Sequence, residues 1–285
     1  MRPRVAIARL LVRAARRMDR AGASGKVWRK VHTPRGARGL RRLARAIHWL
    51  ALMVMRPDDL VEFSRLAYSH QGGIRAWSST ESVSVGLTED ESALLSHIPR
   101  SGARLLLLGM GGGREAVPLA RMGFSVTGVD FVPEMVQAAI DYAAREGLQV
   151  QSLVQELSAL DVPAAGFGVA WLSAGMYSCI PTRTRRLAVL ARVRDALRPG
   201  GHFMCQFVYI PPSQSARAET IRRAMALLTL GNLSYEPGDM LSSEFIHAFP
   251  DAESACDEFA EAGFEVARLQ TPQERNRWGA LLVKP

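Results

Sequence analysis

The pattern of apolar and polar positions divides the chain into a helical first third and an alternating remainder. Arg2, Arg9, Arg13, Arg16 and Arg20 share one side of a helical wheel, and Ile7, Leu11, Ala14 and Met18 share the other. The N-terminus therefore reads as a basic amphipathic helix. Ala21–Gly39, with Pro34 and four glycines, reads as a loop or linker. Leu40, Leu43, Ile47, Leu50 and Val54 place a second helix over about 40–55, which Pro57 ends. Asp59–Tyr68 has helical spacing, and Gln71–Gly73 breaks it. Thr88-Glu-Asp-Glu91 is a capping-box signal that opens a helix to about Ile98.

From Arg104 strands and helices alternate. Arg104–Leu108 is a continuous apolar strand, followed by a glycine cluster and a helix over about Glu115–Met122. Ser125–Val129 is a second strand ending at Asp130, and Pro133–Glu146 a helix with proline at its start. Gln149–Val154 and Val169–Leu172 are further strands. Thr182–Leu197 is a helix stopped by Arg198-Pro-Gly-Gly201, and His202–Val208 a fifth strand. Residues 211–250 interrupt this rhythm with Pro211-Pro212, a helix over Arg217–Leu230 and a turn at Pro237-Gly238. A helix over Asp251–Ala262, ended by Gly263, and strands over Glu265–Leu269 and Ala280–Val283 complete the chain. Such alternation predicts a doubly wound sheet with parallel strands buried on both faces.

Charge changes the picture of the first segment. The net charge is +9, but residues 1–60 hold 16 Lys+Arg against three Asp+Glu, whereas 61–285 hold 20 against 24. A mildly acidic body thus carries a basic extension. The extension either packs its apolar side on the body and solvates its arginines, or lies on an anionic membrane surface; backbone attraction to nucleic acid is a third reading. Its arginines interrupt the apolar part, so it is no secretory signal, although an Arg-rich start without acids before Asp19 is similar to an organelle presequence. The run Ala46–Met55 is too short to span a bilayer, and Val162–Thr182 carries Pro163, Gly166, Gly168, Gly175 and Pro181. Three cysteines, Cys179, Cys205 and Cys256, lack metal-type spacing, which excludes a zinc ribbon and suits a reducing, cytoplasmic setting.

The chemistry concentrates where the first strand runs into Gly109-Met-Gly111-Gly-Gly113 and then a helix, with Asp130 at the tip of the next strand. Glycines let the chain turn tightly and a ligand approach its backbone. An acid at that neighbouring tip can accept ribose hydroxyls in the crevice outside the carboxyl ends of the strands. Gly109-x-Gly111-x-Gly113 fits an S-adenosylmethionine loop, and Gly111-x-Gly113-x-x-Ala116 fits the dinucleotide pattern. The loop alone leaves both cofactors open.

The ordered motifs beyond it discriminate. VTGVDFVPEMVQAA (Val126–Ala139), ALRPGGHFMCQF (Ala196–Phe207), FAEAGFEVARLQ (Phe259–Gln270) and the terminal GALLVKP resemble the class I S-adenosylmethionine-dependent methyltransferases, from about Gly102 to the C-terminus. The resemblance implies an α/β, doubly wound, Rossmann-like seven-stranded sheet with the last strand antiparallel, bearing an N-terminal helical extension. Taken with the charge split and the interrupted alternation, it divides the chain into a basic helical extension over 1–60, a helical cover over 61–100, and a catalytic domain over 101–285 with a cap insertion at 211–250. It further implies that Gly109, Gly111 and Gly113 line the methionine and ribose part of S-adenosylmethionine. Asp130 would hold the ribose hydroxyls and Phe131 would pack near the adenine. Glu156 would reach the adenine amino group, and Ser173 and Ala174 would face the reacting centre. One departure is Leu107, where many members carry an acid two residues before the first glycine; Glu115 offers a nearby negative charge.

Methyl transfer asks mainly for alignment of a nucleophile with an activated methyl group. Tyr177, after the fourth strand, is a candidate substrate contact, and His247, before the final helix, a candidate general base. Ser173-Ala-Gly-Met176 lacks the Pro-Pro-aromatic signature of amino-methylating nucleic-acid enzymes, and Cys179 follows Ser rather than Pro. The expectation is therefore a small-molecule acceptor, no sequence-specific nucleic acid and no metal. The alternatives are a membrane-associated enzyme of a lipid or quinone-like acceptor, a non-catalytic cofactor-binding homologue, and, last, a nicotinamide oxidoreductase.

Overall fold

The computed structural model describes residues 1–23, 34–99, 103–210, 216–271 and 277–285. Six helices come first: α1 (Pro3–Ala23), α2 (Pro34–Val54), α3 (Pro57–Tyr68), α4 (Gln71–Ser78), α5 (Thr80–Ser84) and α6 (Glu89–Leu95). The alternating part runs β1 (Arg104–Leu108), α7 (Ala116–Arg121), β2 (Ser125–Asp130), α8 (Pro133–Arg145), β3 (Gln151–Val154), β4 (Phe167–Leu172), α9 (Arg183–Ala196) and β5 (Leu197–Tyr209). Then come α10 (Ala216–Thr229), β6 (Asp239–Leu241), β7 (Phe245–Phe249), α11 (Ala252–Glu261), β8 (Glu265–Gln270) and β9 (Arg277–Val283). These elements form two units: Met1–Ala67 with Pro212–His247, and Tyr68–Pro211 with Ala248–Pro285.

In the second unit the strands lie in the order β3-β2-β1-β4-β5-β9-β8. The pairs from β3 to β5 are parallel, and β9 runs antiparallel to both β5 and β8. This is the doubly wound sheet that the resemblance implies, with its last strand reversed. The four leucines of β1 explain the two layers, because successive side chains point to opposite faces. Leu106 and Leu108 pack with Val189, Leu190 and Val193 of α9 and Phe259 of α11. Leu105 and Leu107 pack with Leu94 and Leu95 of α6, Leu119 of α7 and Ala139 of α8. Two strands lie beyond the expected seven. β6 pairs antiparallel with β7, and Ala248–Phe249 of β7 pair in parallel with Val208–Tyr209 of β5.

Local chemistry explains the helix starts and two corrections. Pro34 opens α2 rather than belonging to a linker that extends to Gly39. Proline suits that first position, where its missing N–H has no helical acceptor. Ala21–Ala23 of that expected linker belong to α1, and residues 24–33 lie outside the described residues. Gln71–Gly73, expected only to break a helix, begins α4, because His70 Nδ1 accepts from Gly73 N at 2.9 Å and caps it. The Thr88 box forms in full: Glu91 N donates to Thr88 Oγ1 at 3.3 Å, and Thr88 N to Glu91 Oε2 at 2.8 Å.

In the first unit, α1 buries Val5, Ala8, Val12 and Ala15, not the Ile7–Leu11–Ala14–Met18 side of the wheel. The reason is size. Two alanines in that stripe let the backbone of α1 approach its neighbour closely, and Ile7 is left exposed.

Candidate functional site

The site is built on the turn after β1. Gly109 N and Met110 N both donate to Val129 O, at 2.8 and 3.1 Å, tying the turn to β2. Gly109, Gly111 and Gly113 have φ of +70, +52 and +94°, the left-handed region where side chains are strained. Each glycine has its own surroundings. A Cβ on Gly113 would stand 3.2 Å from Ala139 Cα of α8, and one on Gly112 would stand 2.6 Å from Trp77 O. A Cβ on Gly109 would meet Met176 at 3.3 Å, whereas one on Gly111 would meet nothing within 4 Å. Gly111 therefore presents its backbone to open space.

Asp130, at the end of β2, is buried beside that space. Its Oδ2 accepts from Gly111 N at 3.0 Å and its Oδ1 from Val132 N at 2.9 Å. Burial pushes its pKa above the usual aspartate value, against the backbone hydrogen bonds that favour the ionised form. Each carboxylate oxygen holds a backbone donor, with Phe131 N–H close to the pair, and a carboxylate has about four lone-pair sites, so acceptor capacity is left for a ligand hydroxyl. Next to it, the Phe131 ring meets the edge of Tyr68 at 6.3 Å, and Tyr68 lies 6.5 Å from Trp77.

On the other flank, at the end of β4, Ser173 N donates to Leu108 O at 3.0 Å. The Ser173 hydroxyl donates to Glu115, which also pairs with Arg114. Arg114 in turn grips Glu91 through two bonds, at 2.8 and 2.7 Å, and donates to Gly86 O at 2.7 Å. Burial pushes the Glu115 pKa upward while the Arg114 charge opposes it. Burial also disfavours the charges on Arg114 and Glu91, but their pairing outweighs it, so Arg114 is raised and Glu91 lowered. Two carboxyl groups share one guanidinium beside Ser173, and burial together with the Glu91 charge works against ionisation of Glu115. After Ser173 the backbone turns left-handed at Ala174 (φ +42°) and Gly175 (φ +77°), which leads to Met176 against Gly109.

The structure brings Gly109, Gly111, Gly113, Asp130 and Phe131 together at the carboxyl ends of β1 and β2, with Ser173 at the end of β4. Glu156 is exposed, one residue beyond Gln155, whose N–H donates to Asp130 O at 3.0 Å. Tyr177 is placed otherwise than expected. It is fully buried, donates to Glu258 at 2.5 Å and stacks on Phe249 at 5.8 Å. Arg186 grips the same glutamate at 2.9 and 2.7 Å. A hydroxyl sealed in this manner belongs to the core and not to the mouth of a site. His247 lies in the first unit, buried, with Nδ1 2.8 Å from Asp239 and Nε2 3.9 Å from Glu236. Carboxylates at both ring nitrogens make it a pin of the β6–β7 hairpin. The residues that sequence reasoning leaves without a role are Arg114 and Trp77. The capping glutamate Glu91 is the one local signal near Arg114.

Residues 105–201 match a family model described as a methyltransferase domain. Two ubiquinone biosynthesis O-methyltransferases are similar. That of Xanthomonas axonopodis pv. citri is 32% identical over 118 residues, which is 41% of this chain and 48% of that protein. That of Cereibacter sphaeroides is 33% identical over 141 residues, 49% of this chain and 53% of that protein. The chain thus spans about half the length of these relatives. Among solved structures, an S-adenosylmethionine-dependent methyltransferase of Methanosarcina mazei shares the fold with a TM-score of 0.53 at 19% identity, over 70% of this chain and 98% of that one. The 1,6-didemethyltoxoflavin-N1-methyltransferase of Burkholderia thailandensis does so with a TM-score of 0.55 at 20% identity, over 79% and 87%. Residues 105–201 thus match a methyltransferase domain, and the strand order with its reversed last strand is the fold of Rossmann-like methyltransferases.

Proposed function

We propose that this chain transfers a methyl group from S-adenosylmethionine to a small-molecule acceptor. The observation that carries the reading is Gly111 facing open space with its N–H on the buried Asp130 carboxylate. A nucleoside ligand fits such a cradle, because a side chain at 111 would fill it and the carboxylate beside it retains acceptors. Gly109, Gly111 and Gly113 line the methionine and ribose part in this reading. Asp130 takes the ribose hydroxyls, and Phe131, with Tyr68 and Trp77 near it, flanks the adenine. Glu156 is the candidate for the adenine amino group. Leu107 packs in an apolar layer and supplies no charge. Glu115 offers a carboxyl group nearby instead, oriented by Arg114 and Ser173.

When bound, S-adenosylmethionine supplies a methyl carbon on a positively charged sulfur, an electrophile that needs no further activation. The chain's own part is to hold the acceptor nucleophile in line with that carbon near Ser173 and Ala174, beside the Glu115 carboxyl that Arg114 and Ser173 orient. Gly109, Gly111, Gly113 and Asp130 would hold the cofactor, which would supply the methyl group, and an acceptor that carries a proton on its nucleophile would release it to solvent. Neither Tyr177 nor His247 has a part in this step.

A second reading makes the acceptor lipophilic and quinone-like. It is favoured by the ubiquinone biosynthesis O-methyltransferases among the relatives, and it carries peripheral membrane contact through residues 1–60 with it. Calorimetric titration of S-adenosylhomocysteine into wild type and Asp130→Ala tests the cofactor. Incubation with labelled S-adenosylmethionine and fractionated extract tests the acceptor. Binding that Asp130→Ala abolishes, with label in water-soluble products, supports the first reading; label in the lipid-soluble fraction supports the second. No binding overturns both, and binding without label incorporation supports a non-catalytic homologue.

A further inference from the structure

The exposed leucines are unevenly placed. Of those in the described residues, all but Leu269 lie in the first unit. Leu227, Leu228, Leu230 and Leu233 cluster at the end of α10 and in the turn after it, each more than half exposed, Leu228 by 80%. The turn is held in place. Leu230 has a φ of +47°, a conformation that favours glycine. Its carbonyl accepts from Arg4 at 3.0 Å and from Arg56 at 3.2 Å. The next residue, Gly231, admits no side chain, because a Cβ there would stand 2.1 Å from Met53 O. The protein thus tolerates backbone strain while presenting a leucine to solvent, and strain maintained in this manner points to function. Arg4 also donates to Thr229 O at 3.1 Å, which ties α1 to this turn. Ile7, one helical turn along α1 from Arg4, is exposed as well.

Charge indicates what this surface meets. Residues 1–67 and 212–247 hold 20 Lys+Arg against eight Asp+Glu, and the remainder holds 16 against 19. We propose that the first unit docks on an anionic lipid bilayer, inserting Leu227, Leu228, Leu230 and Leu233, with Ile7 as a second apolar contact. Leucines enter the acyl boundary while guanidinium groups meet lipid phosphates. Nucleic acid would engage the arginines but gain nothing from a strained, outward leucine. A second copy would bring two strongly basic surfaces together. The proposal stands independently of the methyl-transfer reading.

The test is sedimentation of the full chain with vesicles of phosphatidylglycerol and phosphatidylcholine in equal parts, or of phosphatidylcholine alone. Wild type is expected to pellet only with the anionic vesicles, and less so in high salt. Leu230→Gly relieves the left-handed strain, so it melts higher than wild type while its partition falls about tenfold. A variant that gains stability and loses binding has not lost binding through misfolding. Leu227→Ser with Leu228→Ser is expected to weaken partition further, with S-adenosylhomocysteine affinity unchanged in every variant. Wild type remaining in the supernatant overturns the proposal, as do leucine variants that pellet like wild type. Duplex DNA that strips the protein from vesicles, with the leucine variants binding that DNA as wild type does, assigns the surface to nucleic acid instead.

Discussion

Gly111 and Gly123 form a matched pair for testing the cofactor cradle. Both have positive φ, +52 and +90°, and a Cβ on either meets nothing within 4 Å. Gly123 follows α7 and has no place in the site. Alanine in the left-handed region costs about 1–2 kcal/mol, offset by about 0.4–1 kcal/mol from the lower entropy of the unfolded chain. Gly111→Ala and Gly123→Ala are therefore each expected to lose on the order of 1 kcal/mol or less in urea unfolding. Their ligand affinities should part. A methyl group forced against a seated ligand costs about 1–3 kcal/mol, which at about 1.4 kcal/mol per tenfold is roughly 5–150-fold in affinity. Calorimetric titration with S-adenosylhomocysteine reads this directly. Gly123→Ala should bind as wild type does, and Gly111→Ala within that weakened range. If Gly111→Ala binds normally, the open space above Gly111 is not where the cofactor lies, and the reasoning from the loop fails.

Other expectations follow from the same contacts. Asp130→Asn turns an amide N–H₂ toward the N–H of Gly111 or Val132; a loss of about 1–3 kcal/mol in stability and weaker S-adenosylhomocysteine binding are expected from denaturation and calorimetry. Tyr177→Phe removes the hydroxyl on Glu258 and should cost about 1–2 kcal/mol in unfolding while leaving the turnover of folded enzyme unchanged; a large fall in turnover without a loss of stability would restore Tyr177 to the reaction. Glu91 is held below the ordinary glutamate value of 4.5, so its contribution to stability is present above that pH and lost as pH falls through the lowered value. Urea unfolding of Glu91→Gln from about pH 6 down to about pH 3 should show a shallower acid loss than wild type. Arg186→Met takes from the buried Glu258 the guanidinium that grips both its oxygens and is expected to cost about 3–5 kcal/mol, read by thermal or urea unfolding.

What could be read in the sequence was local. The leucine run of β1, the glycines after it and the acid ending β2 lie within one short segment, where the backbone demands of a turn and a strand tip are visible residue by residue. The reversed last strand came through the resemblance rather than through periodicity, since the pattern in Arg277–Val283 has no direction. What was not legible depends on distant partners. Glu258, which claims the Tyr177 hydroxyl, lies 81 residues away, and no feature of the loop around Tyr177 announces it. Glu91 meets Arg114 across 23 residues and the whole of β1. The buried stripe of α1 escaped a wheel sorted by hydrophobicity, because alanines score as weakly apolar although close packing favours them. His247 has an ordinary histidine's composition around it. Only the β6–β7 pairing, which sets it opposite Asp239, reveals its structural part.

Met110 lies against the backbone of Gly128 in β2, where a Cβ would stand 2.0 Å from its Sδ. The second strand therefore lacks a side chain at 128 because the loop residue occupies that volume. Over evolutionary time the two positions form a joint unit of inheritance. A side chain gained at 128 displaces the Met110 thioether from that place, by a turn of its flexible chain or by a shorter residue at 110. The two positions therefore trade volume with one another, and related chains that carry a side chain at 128 should hold residue 110 elsewhere or have a smaller one there.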